Sequence, residues 1–86
     1  MLPRFTINEY KYKDKNTGFH FIFYSRTMQF ANELAKRITN LGLFDLVPLK
    51  FKFCKNVVTD IPPYEIEIEQ QRTIQEWERR TQNTNE

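Results

Sequence analysis

Side chains able to do nucleophilic or acid–base work near neutral pH are scarce in this chain, which holds one histidine, His20, and one cysteine, Cys54. A thiolate beside an imidazole is a workable nucleophile–base pair. His20, however, stands inside FHFIFYS and Cys54 directly follows Phe53. A packed or edge-exposed imidazole and a buried thiol are therefore the expected states. One His and one Cys do not close a zinc site without carboxylates. Glu65, Glu67 and Glu69 recur at every second position of YEIEIE. Read as a strand, that spacing sets neighbouring carboxylates about 7 Å apart, too wide to share a hard cation, and a solvated strand face is expected instead. Gly18 and Gly42 are the only glycines and make no phosphate-cradling loop. The expectation is a protein that is not an enzyme and that carries no metal or cofactor.

Cations interleaved with aromatics offer a different chemistry. EYKYKDK places Tyr10 and Tyr12 among Lys11, Lys13 and Lys15, and LKFKFCK places Phe51 and Phe53 among Lys50, Lys52 and Lys55. Single-strand nucleic-acid binders combine aromatic stacking platforms with cations that track the backbone. In a strand, alternation sends the two residue types to opposite faces, so they serve one site only at an edge or a curl. Net charge is +2, with ten basic against five acidic side chains in residues 1–60 and three arginines against six glutamates in residues 61–86. A basic body with an acidic end attracts polyanions.

The elements that would carry these residues follow from periodicity. RFTINEYKYK reads as a strand whose apolar parity changes near Glu9 through a bulge, and KDKNTG as a turn ending in Gly18. FHFIFYS is a second strand, apolar on both faces, which completes a hairpin. Over 27–41, Ala31, Leu34, Ala35, Ile38 and Leu41 make a buried helical stripe, capped by Thr27 or Ser25 and stopped at Gly42. Val47, Leu49, Phe51 and Phe53 then alternate as a third strand, and Tyr64, Ile66 and Ile68 as a fourth after a loop closed by Pro62 and Pro63. Pairing these last two strands sets Lys52 opposite Glu65 and Lys50 opposite Glu67, which neutralises both lysines. Thr73 and Glu76 form a capping box for a short final helix.

The expected fold is α+β, a two-layer sandwich of order β-β-α-β-β-α. A four-stranded, largely antiparallel sheet is covered by one amphipathic helix, with a short C-terminal helix after it. Residues 1–80 make a single domain and residues 81–86 a disordered tail. No signal sequence or membrane span is evident and the lone cysteine suits a reducing compartment, so a cytoplasmic protein is expected. Heavy use of Phe, Ile, Asn, Lys and Tyr against two Ala and two Gly suits an AT-rich source, such as a phage or plasmid, many bacteria or some eukaryotes.

The leading expectation for function is a small accessory factor or inhibitor that works by binding another protein. A single-stranded DNA- or RNA-binding protein is the alternative, and a homodimer is compatible with either. The contact residues expected are Arg4, Tyr10, Lys11, Tyr12, Lys13 and Lys15 on the first hairpin. Lys36 and Arg37 on the central helix, and Trp77 and Arg80 on the last, complete the set, although the first expectation for Trp77 is that it packs with Ile74 on the sheet's second face near His20, Ile22 and Tyr24.

Overall fold

The computed structural model of the protein describes residues 3–83. The chain runs β1 (Phe5–Asp14), β2 (His20–Ser25), α1 (Met28–Asn40), β3 (Leu46–Pro48), β4 (Cys54–Thr59) and α2 (Pro63–Asn83). This is the expected α+β order, with one four-stranded antiparallel sheet and two helices. The residues assigned to the second half differ from the expectation, and the differences decide what the surface can do.

The long strand β1 is the spine. It pairs with β2 along one side, while β4 and β3 share its other side, β4 opposite Phe5 to Tyr10 and β3 opposite Tyr12 to Asp14. Strands β2 and β3 therefore both run antiparallel to β1 and parallel to each other, with α1 as the crossover between them. Residues 49–53 separate β3 from β4 and bow away from β1 at a single position: Leu49 N–H donates to the Lys11 carbonyl, and Lys11 N–H donates to the Phe53 carbonyl. LKFKF is thus an excursion from a split strand, and the Lys52–Glu65 and Lys50–Glu67 pairs do not form. The run KNVVT, expected as loop, is β4, as its β-branched residues favour.

YEIEIE is helical. It opens α2, a helix of 21 residues rather than the short one expected. Pro63 occupies the first helical position, where its missing N–H costs nothing and its φ is already set. The inward face of α2 is Glu67, Gln70, Ile74 and Glu78, spaced three and four residues apart. Three of those four are polar, so the helix has no apolar stripe to betray it. The helix continues through residue 83, and the remainder of the expected tail lies outside the described residues.

Helix α1 matches the reading. Thr27 caps it by accepting from Phe30 N–H, and Gly42 takes φ +86°, the left-handed geometry that ends a helix. Its buried face (Ala31, Leu34, Ala35, Ile38) packs with Tyr10, Tyr12, Phe23 and Ile74 into the core. Tyr12 sits edge-on to both Phe23 and Phe53. The parity change in β1 needs no bulge, because pairing through Glu9 is continuous with β2 on one side and β4 on the other. Ile7 and Glu9 are buried on one face, Tyr10 and Tyr12 on the other.

Candidate functional site

Several expected contact residues lie inside the molecule. Tyr10 and Tyr12 are 3% and 1% exposed and cannot stack on a nucleobase. Burial, with Tyr10 and Cys54 nearby, pushes the Tyr12 hydroxyl up to about 12, and it donates to Asn32 Oδ1 at 2.6 Å. Lys11 lies 3.6 Å from the Glu9 carboxylate. Arg37 donates through Nε to Glu78 Oε2 at 2.9 Å, an attachment of α1 to α2 that holds the Glu78 carboxyl below its ordinary value. Arg4, Lys13, Lys15 and Lys36 are exposed: Arg4 just precedes β1, Lys13 and Lys15 lie together at its far end and the turn after it, and Lys36 stands apart on α1.

The candidate catalytic pair does not assemble. His20 lies opposite Lys13 and Cys54 opposite Tyr10, so they occupy strands on either side of β1, about 10 Å apart across the sheet before any offset along it. Lys13 and Tyr10 have opposite parity, which sends the two side chains to opposite faces. Cys54 is exposed, contrary to the expected buried thiol. Among the described residues no group of three or more His, Cys, Asp or Glu is placed to hold a metal ion.

What the structure does assemble is a furrow between β2 and α2. Polar staples position α2 along the outer edge of β2. Glu67, 7% exposed, accepts from Ser25 Oγ at 3.0 Å and Arg26 N–H at 2.8 Å through one oxygen, and from Arg26 Nη2 at 2.7 Å through the other. Burial alone would raise this carboxyl, but the bonds from Arg26 and Ser25 outweigh it and hold it below its ordinary value. Three residues on, Gln70 spans the gap to the strand. Tyr24 N–H donates to Gln70 Oε1 at 2.7 Å, and Gln70 Nε2 donates to the Tyr24 carbonyl at 2.6 Å.

Beyond Gln70 the strand and helix enclose an apolar groove of about 200 Å³, walled by Phe21, Ile22, Thr73 and Trp77 over a floor of Phe23, Ile38 and Ile74. Sharing Phe21 and Trp77 with it is a wider hollow of about 350 Å³, closed by Leu41, Leu43, Phe44 and Arg80. Leu43 is 69% exposed and Trp77 40%, a large apolar investment at the surface. Trp77 and Arg80 are singled out by sequence. Phe21, Leu43 and Phe44 are not: Leu43 is exposed just past the helix end, while Phe44 turns inward and meets Phe21 at 4.8 Å between ring centroids.

A second surface feature is the excursion itself. Phe51 is 77% exposed between Lys50 and Lys52, and Lys52 is the only non-glycine described residue with positive φ, at 59°. A comparison of the chain with known protein families, curated proteins and solved structures finds no match. The surfaces themselves therefore carry the functional argument.

Proposed function

We propose that this is a non-enzymatic protein-binding module, an accessory factor or inhibitor that docks a partner in the furrow between β2 and α2. The observation that carries the reading is the continuous apolar wall of Phe21, Trp77, Leu43 and Phe44 with Arg80 at its rim. Trp and Arg are the side chains that most often dominate binding energy, and an apolar centre with a polar rim is the anatomy of a protein interface. A cytoplasmic setting suits the exposed, unpaired thiol of Cys54. No described helix is long and apolar enough to cross a membrane.

The test is a two-hybrid screen of random protein fragments against the parent chain, repeated with Leu43→Asp and Phe51→Ser. Interactors lost with Leu43→Asp and kept with Phe51→Ser support the furrow. The reverse pattern contradicts it.

One observation favours a second reading, contact with single-stranded nucleic acid. It is Phe51, an exposed ring flanked by two lysines in the excursion between β3 and β4, whereas Tyr10 and Tyr12 are buried. Gel shifts with single-stranded DNA and RNA at two salt concentrations test it. Binding that weakens steeply with salt and is lost in Phe51→Ala supports this reading, and no shift at low salt removes it.

A further inference from the structure

Resting on the protein-binding reading above, we infer that the partner enters the furrow as an extended peptide that adds a strand to the outer edge of β2. The alternation of an antiparallel ladder fixes which backbone groups face outward. Asp14 N–H bonds to the Phe19 carbonyl on the β2 side, and Lys11 bonds to Leu49 and Phe53 on the other side. Even-numbered residues of β1 therefore bond to β2. Their partners in the register are Ser25, Phe23 and Phe21. Tyr24, Ile22 and His20 are left to present their N–H and C=O groups away from the sheet.

At Tyr24 those two groups are already taken by an amide. The Gln70 carboxamide donates to the carbonyl and accepts from the N–H, the same exchange that a neighbouring strand would make. One step along, at Ile22, no such bond forms among the described residues, and the groove of about 200 Å³ opens there between strand and helix. The edge thus displays one satisfied amide position and, next to it, an unsatisfied one with an apolar cleft beside it.

The occupant must fit three constraints. It must supply backbone N–H and C=O groups to Ile22, which a helix cannot do from its middle because its own ladder uses them. It must be a single segment, because α2 stands alongside the edge and bars a second folded sheet, including that of another copy. Successive side chains of an added strand point to opposite faces. One set would enter the Phe21–Trp77 groove and the wider hollow beyond. The other would lie over the groove on the opposite side of Gln70, lined by Ile22, Tyr24, Ile61 and Ile66. The partner segment is therefore extended and apolar at alternate positions. Strand addition to an exposed edge, with backbone bonds giving affinity and pockets giving specificity, is an established recognition mode.

The probe is a displayed library of random ten-residue peptides panned against the intact chain. The strongest binders are resynthesised with one N-methyl group at each position in turn and measured by fluorescence anisotropy. Methylation leaves the protein untouched, so misfolding cannot mimic the result. The expected outcome is peptides with apolar residues at alternate positions. Methylation at alternate backbone positions weakens binding at least tenfold and methylation between them does not, while Ile22→Pro and Trp77→Ala each weaken the unmethylated peptide. Peptides indifferent to methylation but sensitive to Trp77→Ala overturn strand addition and leave the furrow as the docking site. Peptides indifferent to both methylation and Trp77→Ala overturn both readings. A library that yields no binder overturns strand addition, with the furrow judged separately by the two-hybrid comparison.

Discussion

Substituting Glu67 by Gln tests whether polar staples, rather than an apolar stripe, hold α2 against the sheet. The carboxylate receives four hydrogen bonds: from Ser25 Oγ, Arg26 N–H and Arg26 Nε at one oxygen, and from Arg26 Nη2 at the other. Glutamine keeps the shape and one acceptor oxygen, so the buried Ser25 hydroxyl and the Arg26 N–H stay satisfied through weaker, neutral bonds. The bond to Nη2 is lost because the new amide presents hydrogens to it. The guanidinium side chain is 56% exposed and turns to water, so its share is discounted as for a surface pair. The inner bonds carry the effect. Bonds to a charged acceptor are worth about 1.5–3 kcal/mol and neutral ones about 0.5–1.5, which places the Glu67→Gln loss near 2 kcal/mol. For a domain of this size that lowers the thermal midpoint by about 8–16 °C.

The pH dependence of that loss has a definite sign. The Glu67 carboxyl is held below its ordinary 4.5, so its stabilisation is full above that value and is lost as pH falls through the lowered folded value. Glutamine does not titrate. The gap between parent and variant, measured by urea unfolding, is therefore widest near neutral pH and closes as the solution is made acid. A gap that stays constant from pH 7 to pH 3, or a variant as stable as the parent at pH 7, refutes the staple.

Other expectations follow from packing and backbone geometry. Ile74→Ala removes the one apolar residue that α2 buries in the main core and should cost about 2–4 kcal/mol in the same unfolding assay. A cost under 1 kcal/mol would mean that the helix does not seat there. Lys52 holds a left-handed conformation, so Lys52→Gly should match or exceed the parent in stability while the β-branched Lys52→Val loses more than about 1 kcal/mol. Equal stability for the two would show that this geometry is not maintained. Lys52→Glu combined with Glu65→Lys should show no coupling in a double-mutant cycle, because the two residues belong to an excursion and a helix that do not pair.

The first half of the chain was legible because its residues obey one rule at a time. Ala31, Leu34, Ala35 and Ile38 recur at helical spacing between Thr27 and Gly42, and Phe21 and Phe23 alternate beside a turn closed by Gly18. The second half is ambiguous where two periods coincide. Tyr64, Ile66 and Ile68 alternate as a strand would, yet the face that is buried follows Glu67, Gln70, Ile74 and Glu78. Apolar periodicity is blind to a helix held by a carboxylate and a carboxamide, and only Pro63 at its start and the helix-forming Glu, Gln and Arg residues announced it. LKFKF alternates too, but Leu49 and Phe53 both bond to Lys11, which leaves the residues between them no place on the ladder. Of the expected contact residues, Tyr10 and Tyr12 proved to be core, since alternation cannot say which face a helix will cover. Trp77 and Arg80 reached the furrow because α1 and β2 leave the end of α2 only partly covered.

Amide hydrogen exchange on the intact chain, with and without the tightest library peptide, decides whether the furrow is where a partner docks. New protection is expected in residues 20–24 of β2 and in residues 70–81 of α2, with residues 49–53 unchanged. Protection confined to residues 49–53, with β2 and α2 exchanging as before, would contradict docking in the furrow.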